Sequence, residues 1–327
     1  MAKKLLVTGL DYLPEWCRDY IKSAEITCTA NVSEENLSEI VKDFDGILFM
    51  QTMSYSITRN IIESAKKLRF IQSAGVGFDQ IDIKAATENN VVVMNIPSAT
   101  TTSVAEHTIT LILACSKNLI QIHQSTIKGE WRIGGFGVEL RNKNLGVIGF
   151  GRIGQEVVKI MKGFQMILLV YDPFVKEKEI KKFGGKKVDL DTLLKESDFI
   201  TIHTPLTKET ENLIDKEKLK LLKPSAILVN TARGEIIDEK ALYNALNDGN
   251  LRCAGLDVFR KEPVDEKNPL LKLENIVLSP HMAVQTSEGV AALMRQNGEQ
   301  VEKALNNVYE NVVNKEVLEK IKKGDLK

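Results

Sequence analysis

Three residue types that can do acid–base or anion chemistry each lie at the end of a short apolar run: Arg233, Asp257 and His281. A guanidinium holds a carboxylate through two parallel hydrogen bonds, and an imidazole exchanges a proton near neutral pH. Asp172 and Thr204 close two further runs of the same kind. Any one of them could be a turn or cap residue. Because parallel strands end at one edge of a sheet, we expect the five to line a single crevice.

The stretch "LGVIGFGRIGQEV" (145–157) holds Gly149, Gly151 and Gly154 in the spacing G-x-G-x-x-G. The pattern alone is weak, but an apolar run precedes it and a helical pattern follows, which is the context it requires. The glycines allow, in order, a tight turn, the approach of backbone amides to a pyrophosphate, and close helix–strand packing. The segment therefore predicts a dinucleotide-binding loop.

An acidic residue, Asp172, ends the next apolar run, 23 residues after Gly149 (172 − 149), which is near the spacing that the motif requires. A carboxylate there accepts hydrogen bonds from the hydroxyls of an adenosine ribose and repels a 2′-phosphate. Because Pro173 follows, a plain Asp-Pro turn is the alternative. Together with the glycine loop, Asp172 predicts NAD as the cofactor. The stretch "GVGFD" (75–79) has Gln80 where a third glycine would stand, so it predicts no second loop.

Glu262, in "FRKEP", follows one of the apolar runs and could orient and charge His281; alternatively it is an exposed loop acid. The three other histidines are expected to be structural. We predict that His107 is a packed, hydrogen-bonded residue in a helix and that His203 is buried in the sheet. His123 is expected to lie on a helix surface.

Short apolar runs alternate with longer amphipathic segments along the chain, in two series. The first series extends from "KLLVTGL" to "VVVMN", and the second from "LGVIGF" (145–150) to "NIVLS" (275–279). Fully apolar runs between helical patterns imply parallel strands that are covered on both faces. The sequence therefore predicts α/β architecture twice.

The boundary between the two lobes is expected near residue 103. "SVAE" (103–106) has the spacing of a capping box and predicts a helix from there to about residue 127. Residues 1–103 are expected to form one lobe and residues 104–285 the other. The segment 286–327 is helical in pattern and is expected to pack back on the first lobe.

The composition excludes several classes of function. Lys and Arg number 44, as do Asp and Glu, so no net field favours nucleic acid or an anionic membrane. The four cysteines form no C-x-x-C pair, which predicts neither a disulfide framework nor a metal site and favours a reducing cytoplasm. No stretch approaches the roughly 18 apolar residues of a spanning helix, and the N-terminal apolar run is too short for a signal peptide.

With these motifs the chain resembles the D-isomer-specific 2-hydroxyacid dehydrogenases over residues 40 to 286. The matching motifs, in the family's order and spacing, are "SAGVGFDQID", "SVAEHT", "GFGRIG", "HTPLT", "VNTARGEIIDE", "GLDVFRKEP" and "SPHMA". The resemblance implies two Rossmann-like lobes: a doubly wound NAD-binding domain and a flavodoxin-like substrate domain. It also implies hydride transfer between NAD and a small 2-oxo or 2-hydroxy acid, and a homodimer joined through the cofactor lobes.

The resemblance also implies a role for each matching residue. Arg233 would bind the substrate carboxylate and carbonyl, His281 would donate the proton, and Glu262 would favour the protonated form of that histidine. Amides around Gly75 and Val76 would reach the substrate from the other lobe. Asp257 would bind the nicotinamide carboxamide, and the remaining cofactor contacts would come from Arg152, Ile153, Asp172, Thr204, Thr231 and Ala232.

Two departures from the family pattern bear on specificity. Val284 stands where the family usually has a small residue, so a branched side chain is expected near the site. Relatives that act on phosphorylated three-carbon substrates have an arginine where this chain has the uncharged "QTMSYS" (51–56). This predicts a substrate without a phosphate or a second carboxylate. Because the chain ends at Lys327, no added regulatory domain is expected.

Two alternative functions remain on sequence grounds. An NAD(H)-sensing corepressor built on this scaffold would add tails that recruit partners, and the chain has no long disordered extension. A formate-oxidising relative would have Gln where Glu262 stands. Reduction of 2-oxo acids by the purified protein separates both from a 2-oxo acid reductase.

Overall fold

The computed structural model describes residues 2–30, 32–50, 56–131 and 135–322. The chain divides into unit 1, which is Met1–Thr100 with Thr286–Lys327, and unit 2, which is Thr101–Gln285. The C-terminal segment therefore belongs to the unit that begins the chain. The division falls three residues before the expected boundary.

Each predicted apolar run forms a buried or half-buried strand, because parallel strands lie between two layers of helices. The strands are β1 (Lys3–Thr8), β2 (Ala24–Thr29), β3 (Gly46–Phe49), β4 (Phe70–Ser73), β5 (Val92–Met94), β6 (Asn144–Ile148), β7 (Ile167–Tyr171), β8 (Lys186–Lys187), β9 (Phe199–Ile202), β10 (Ile227–Asn230), β11 (Cys253–Leu256) and β12 (Ile276–Leu278). Strand β8 was missed, since two lysines at a sheet edge have no hydrophobic pattern.

The segments between the strands are helical. The helices are α1 (Glu15–Arg18), α2 (Glu34–Ile40), α3 (Arg59–Ser64), α4 (Ile83–Glu88), α5 (Thr101–Lys117), α6 (Leu119–Ile127), α7 (Arg152–Met161), α8 (Glu177–Lys181), α9 (Leu190–Glu196), α10 (Lys216–Leu219), α11 (Glu239–Asn247), α12 (Ser287–Leu305) and α13 (Glu316–Lys322). None of the helices in the described part of the chain has the length and apolar character needed to cross a membrane.

Unit 1 is an open parallel sheet in the order β2-β1-β3-β4-β5. This is the strand order of flavodoxin-like folds. Helix α12 packs on this sheet, against β3, β4 and α1. Its buried face includes Leu293, Met294 and Val301, which explains why the C-terminal segment returns to this unit.

Unit 2 is a seven-stranded parallel sheet in the order β12-β11-β10-β9-β6-β7-β8. The first strand of the unit, β6, lies in the interior and the chain order reverses beside it, as in doubly wound dinucleotide-binding folds. Apolar side chains fill both faces of the sheet. The carboxyl ends of its strands define the edge at which a ligand is expected.

The helix predicted from a cap at Ser103 differs in the structure. Helix α5 begins at Thr101, and Ser103 is buried inside its first turn rather than capping it. The helix also does not continue to residue 127. Asn118 adopts a left-handed conformation (φ 53°), which ends α5 and starts α6 in a new direction. The hydrophobic pattern continues across this break, so the pattern alone could not locate it.

Candidate active site

The glycine loop joins β6 to α7, and each glycine has a separate steric reason. Gly149 has φ 88°, and a Cβ there would lie 2.7 Å from the carbonyl carbon of His203. A Cβ at Gly154 would lie 2.4 Å from the carbonyl oxygen of Gly149, so this glycine permits close packing of the helix on the loop. Around Gly151 a Cβ would meet nothing within 4 Å. Open space at the N-terminus of α7 suits a phosphate group.

Asp172 lies directly after β7 and contacts the glycine loop. One carboxylate oxygen accepts from the Phe150 amide at 2.8 Å, and the other accepts from the amides of Phe174 and Val175 at 2.8 and 3.0 Å. The Asp-Pro turn raised as an alternative is thus present. A carboxylate can accept about four hydrogen bonds, so the turn leaves capacity for a ribose hydroxyl.

A cavity of about 540 Å³ lies beside this carboxylate. It is lined by Tyr171, Asp172, Pro173, Lys186, Lys187, Val188, Asp189 and Thr192. Both signs of charge therefore face the space next to Asp172.

Arg233 lies in a turn after β10 that the side chain of Asn230 holds in place. Asn230 is buried, accepts from the Ala232 amide at 2.9 Å and donates to the Arg233 carbonyl at 2.8 Å. The guanidinium donates to the Ala232 carbonyl at 2.8 Å. A Cβ at Gly234 would lie 2.0 Å from the carbonyl carbon of Phe259, so the turn packs tightly on the segment after β11. Asn230 was not selected from the sequence, because an asparagine at the end of a strand is not part of a recognisable motif.

Glu262 is bound to His281 and is not an exposed loop acid. One of its oxygens lies 2.7 Å from His281 Nδ1, and the other accepts from the Phe259 amide at 2.9 Å. Since a carboxylate can only accept, Nδ1 carries the hydrogen and Nε2 is left for a second partner. The Glu262 side chain is 18% exposed and that of His281 is 34% exposed. The pair thus combines a shielded carboxylate with an accessible imidazole.

The backbone of His281 is held by Asp257. The His281 amide donates to the Asp257 carbonyl at 2.7 Å, and His281 has φ 55°. The Asp257 carboxylate accepts from the amides of Met282 and Ala283 at 2.8 and 3.0 Å, and from the Ser279 hydroxyl at 2.6 Å. A left-handed residue persists where its surroundings hold it, and such residues cluster at functional sites.

The Asp257 carboxyl is fully buried yet ionised. Burial alone raises its pKa, but hydrogen bonds from His107, Ser279 and the two amides outweigh burial and hold the pKa below its ordinary value. His107 Nε2 lies 2.8 Å from the Ser279 hydroxyl and 3.4 Å from the carboxylate. His107 is therefore the half-buried, hydrogen-bonded residue that was predicted, but it belongs to the support of the His281 turn. Ser279 was not singled out from the sequence.

The remaining predicted cofactor residues lie around the same edge. Thr204 follows β9, and its amide lies within 2.8 Å of a Cβ built at Gly149. Thr231, after β10, is buried and bonded to the Thr108 hydroxyl at 2.8 Å, while Ala232 is half-buried. Arg152 and Ile153 begin α7.

The other two histidines take no part in these contacts. Burial of the imidazole lowers the pKa of His203 to about 3, and its Nε2 lies 2.9 Å from the Thr201 hydroxyl. His123 is exposed on α6, as predicted.

Gly75 and Val76 belong to unit 1, in the turn after β4. Gly75 is half-buried and Val76 is exposed, and no described residue accepts a hydrogen bond from either amide. Two successive N–H groups are therefore available to an anion. Of the uncharged segment "QTMSYS" (51–56), only Ser56 belongs to the described residues.

The chain is similar to known proteins in both sequence and fold. Residues 109–283 match the family model described as D-isomer specific 2-hydroxyacid dehydrogenase, NAD binding domain. The chain is 44% identical over 306 residues to the D-3-phosphoglycerate dehydrogenase of Methanocaldococcus jannaschii, covering 93% of this chain and 58% of that one. It is 40% identical over 293 residues to the glyoxylate reductase of Thermococcus litoralis, covering 86% and 87%.

A solved structure with the same architecture is a D-lactate dehydrogenase from Aquifex aeolicus, complexed with NAD and lactic acid. The TM-score is 0.87 at 30% identity, over 95% of this chain and 99% of that one. The chain spans about half the length of the D-3-phosphoglycerate dehydrogenases that it matches.

Proposed function

The chain belongs to the D-isomer-specific 2-hydroxyacid dehydrogenase family, and from that premise we propose that it transfers a hydride between NAD(H) and a small 2-oxo or 2-hydroxy acid. The observation that carries the proposal is the His281–Glu262 pair, 2.7 Å apart. It lies at the carboxyl edge of the sheet that also bears the glycine loop. An acid–base pair on the same sheet edge as a dinucleotide loop fits reduction of a carbonyl group.

The residues divide the chemistry between them. The bound nicotinamide supplies or accepts the hydride. Because Glu262 takes the Nδ1 hydrogen, Nε2 of His281 is the atom that gives a proton to the carbonyl oxygen in reduction and removes it in oxidation. Arg233 holds the substrate carboxylate, since a guanidinium pairs with it bidentately. Glu262 stabilises the imidazolium by its charge and fixes the ring orientation.

The cofactor assignment rests on residues of this chain that fit a dinucleotide. Gly151 leaves open space at the first turn of α7, and Asp172 lies against the loop. Two oxygens on one carboxylate suit the ribose hydroxyls and disfavour a 2′-phosphate. The family model for this region is an NAD-binding domain.

We propose that the substrate has no phosphate and no second carboxylate, on the uncharged sequence at 51–56. The relatives include both D-3-phosphoglycerate dehydrogenases and glyoxylate reductases, so the two substrate classes are the ones to compare.

The test measures the reduction of a panel of 2-oxo acids by NADH, monitored as the loss of absorbance at 340 nm. We expect turnover of glyoxylate, hydroxypyruvate or pyruvate with kcat/KM above that of 3-phosphohydroxypyruvate and 2-oxoglutarate. A higher kcat/KM for either charged substrate overturns the substrate proposal alone. No turnover of any 2-oxo acid, with NADH still bound, favours the NAD(H)-sensing alternative. Oxidation of formate would favour the formate-oxidising alternative, in which Gln would stand in place of Glu262.

We also propose a cytoplasmic homodimer joined through unit 2. All four cysteines are free thiols. Helix α6 buries none of its residues, and it exposes four aliphatic side chains together with two nearby aromatic residues: Leu119, Ile120, Ile122, Ile127, Trp131 and Phe136. Apolar surface of this extent on one segment marks an interaction site, and a second copy of the chain is the partner that closes it symmetrically.

A further inference from the structure

The turn after β4 has all of its carbonyl groups tied to the protein. The Ala74 carbonyl accepts from the Asn297 side chain at 2.9 Å, and the Gly75 carbonyl accepts from the Ile96 amide at 2.8 Å. The Val76 carbonyl accepts from the Asn95 side chain at 2.7 Å. The Ser73 hydroxyl donates to the next carbonyl, that of Gly77, at 2.7 Å. Four successive carbonyl oxygens are thus held by four separate donors.

These contacts set the direction of the amide hydrogens. In a planar trans peptide, the C=O of one residue and the N–H of the next point in opposite directions. A donor that holds the Ala74 carbonyl therefore aims the Gly75 N–H away from the protein. The Ile96 amide does the same for the Val76 N–H by holding the Gly75 carbonyl. No described residue accepts from these two amides.

Asn297 is an unusual residue for its position on α12. It is fully buried, and its side-chain N–H groups donate to the Ala74 and Leu293 carbonyls, both at 2.9 Å. Its side-chain oxygen has no hydrogen-bond partner among the described residues. A buried unpaired acceptor costs about 1–3 kcal/mol, and leucine of similar volume would avoid that cost. Asparagine provides bonds to Ala74 and Leu293 that leucine cannot make, and of the two only the bond to Ala74 reaches the turn.

We infer that Asn297 is a positioning residue for substrate binding: it aims the Gly75 amide at the carboxylate of the 2-oxo acid. The inference rests on the proposed function for the identity of the anion. Asn95 supports the same turn through Val76 and is itself held by Gln300, whose side chain donates to the Asn95 carbonyl at 3.1 Å. A helix from the C-terminal segment thus controls a binding site formed by residues near position 75.

The test compares Asn297→Leu with Asn314→Leu. Asn314 is also buried in unit 1 and bonded to backbone, accepting from the Val93 amide at 2.8 Å and donating to the Val91 carbonyl at 2.9 Å. It does not contact the turn at 74–77. We expect Asn297→Leu to raise KM for the preferred 2-oxo acid roughly tenfold, with kcat within about twofold and the Kd for NADH unchanged. Asn314→Leu should leave all three values near wild type.

A structural role alone would move both variants alike, so equal KM changes in the two, or none in Asn297→Leu, overturn the inference. If leucine prevents folding, Asn297→Ala provides the same comparison with Asn314→Ala. Oxalate binding to the NADH-loaded protein, measured by calorimetry, separates this inference from the proposed function. Weaker oxalate binding in the Asn297 variant alone supports the turn's role even if no 2-oxo acid is reduced. Undetectable oxalate binding by an inactive wild type contradicts both.

Discussion

At the scale of single residues, the proposed acid–base role of His281 depends on which imidazole nitrogen Glu262 leaves available. Glu262 takes one hydrogen of the imidazole and also accepts from the Phe259 amide, so its carboxylate cannot rotate away without breaking two bonds. Charge and orientation thus come from the same side chain. Glutamine retains the shape and one of the two acceptor oxygens but not the charge, so it tests the contribution of the charge to His281.

We predict that Glu262→Gln lowers kcat/KM for reduction and moves the alkaline limb of its pH profile to lower pH. The imidazolium loses the adjacent negative charge that favours it, so less of the enzyme holds the proton at a given pH. The Kd for NADH should not change. Glu266→Gln, an exposed acid on the same loop, is the matched control. An identical profile in both variants would assign Glu262 to structure alone.

A second prediction concerns cofactor choice at Asp172. Asp172→Asn retains an oxygen that accepts from backbone amides but removes the charge that opposes a 2′-phosphate. The ratio of kcat/KM with NADH to that with NADPH should fall by about tenfold or more, if roughly 1.4 kcal/mol of repulsion is lost. Asp189→Asn, on the rim of the same cavity, should leave the ratio unchanged. Equal use of both cofactors by the wild type would refute the assignment.

A third prediction follows from the lowered pKa of His203, about 3. An unfolded histidine titrates near ~6.5, so between these values the unfolded state binds the extra proton. Stability therefore falls as pH drops below about 6.5. Between pH 7 and 5 the wild type should lose up to about 2 kcal/mol more free energy of unfolding than His203→Gln. Urea titration at both pH values measures the difference; parallel losses in the two proteins would contradict the buried neutral imidazole.

At the scale of elements, the segment that joins β12 to α12 carries the catalytic histidine of the proposal. The position of this histidine depends on Asp257, which directly follows β11. The Asp257 carboxylate accepts from the Ser279 hydroxyl and from the two amides after the histidine, those of Met282 and Ala283. Helix α5 contributes through His107. Because the single Ser279 hydroxyl hydrogen goes to the carboxylate, the His107 N–H donates to the serine oxygen at 2.8 Å and also interacts with the carboxylate, 3.4 Å away. The three elements are thereby linked through one ionised group.

We predict that Ser279→Ala lowers kcat several-fold and leaves the Kd for NADH near wild type. The variant removes one donor from a buried carboxylate, at a cost of about 1.5–3 kcal/mol of stability. The control is Thr110→Ala, on the same helix as His107. The Thr110 hydroxyl donates to a backbone carbonyl within that helix. Stopped-flow kinetics and thermal unfolding measure the two effects. A stable variant with wild-type kcat would show that the turn does not need this bond.

At the scale of the whole molecule, the apolar surface of α6 and the segment after it predicts self-association. Ile127, Trp131 and Phe136 are 73%, 90% and 93% exposed. Burying apolar surface contributes roughly 25 cal/mol per Å², so these side chains can contribute several kcal/mol to a dimer. The double variant Ile127→Glu with Trp131→Glu should sediment with the mass of one chain.

The control for self-association is Phe174→Glu, since Phe174 is equally exposed on another part of unit 2. This variant should remain dimeric in sedimentation velocity. A wild type that sediments as one chain at micromolar concentration would overturn the dimer proposal. A double variant that remains dimeric would show that the interface does not include α6.

The sequence by itself determined the features that depend on local pattern. Apolar runs placed the strands of both sheets except β8, and the glycine spacing placed the loop before α7. Glu262 and His281 were selected from residue type and position, but on sequence spacing alone an exposed loop acid was the better account of Glu262. Their pairing at 2.7 Å required the structure, because a sequence separation of 19 positions says nothing about the distance between two side chains.

Only the tertiary structure decided what depends on contacts between distant segments. Ser103 has the spacing of a helix cap, yet packing placed it inside α5, and a left-handed Asn118 ended that helix within a continuous hydrophobic pattern. The buried amides of Asn230 and Asn297 have no sequence signature, since an asparagine that binds a remote carbonyl resembles any other asparagine. Local composition specifies elements, whereas the hydrogen bonds that aim a turn or an imidazole form only when folding brings their partners together.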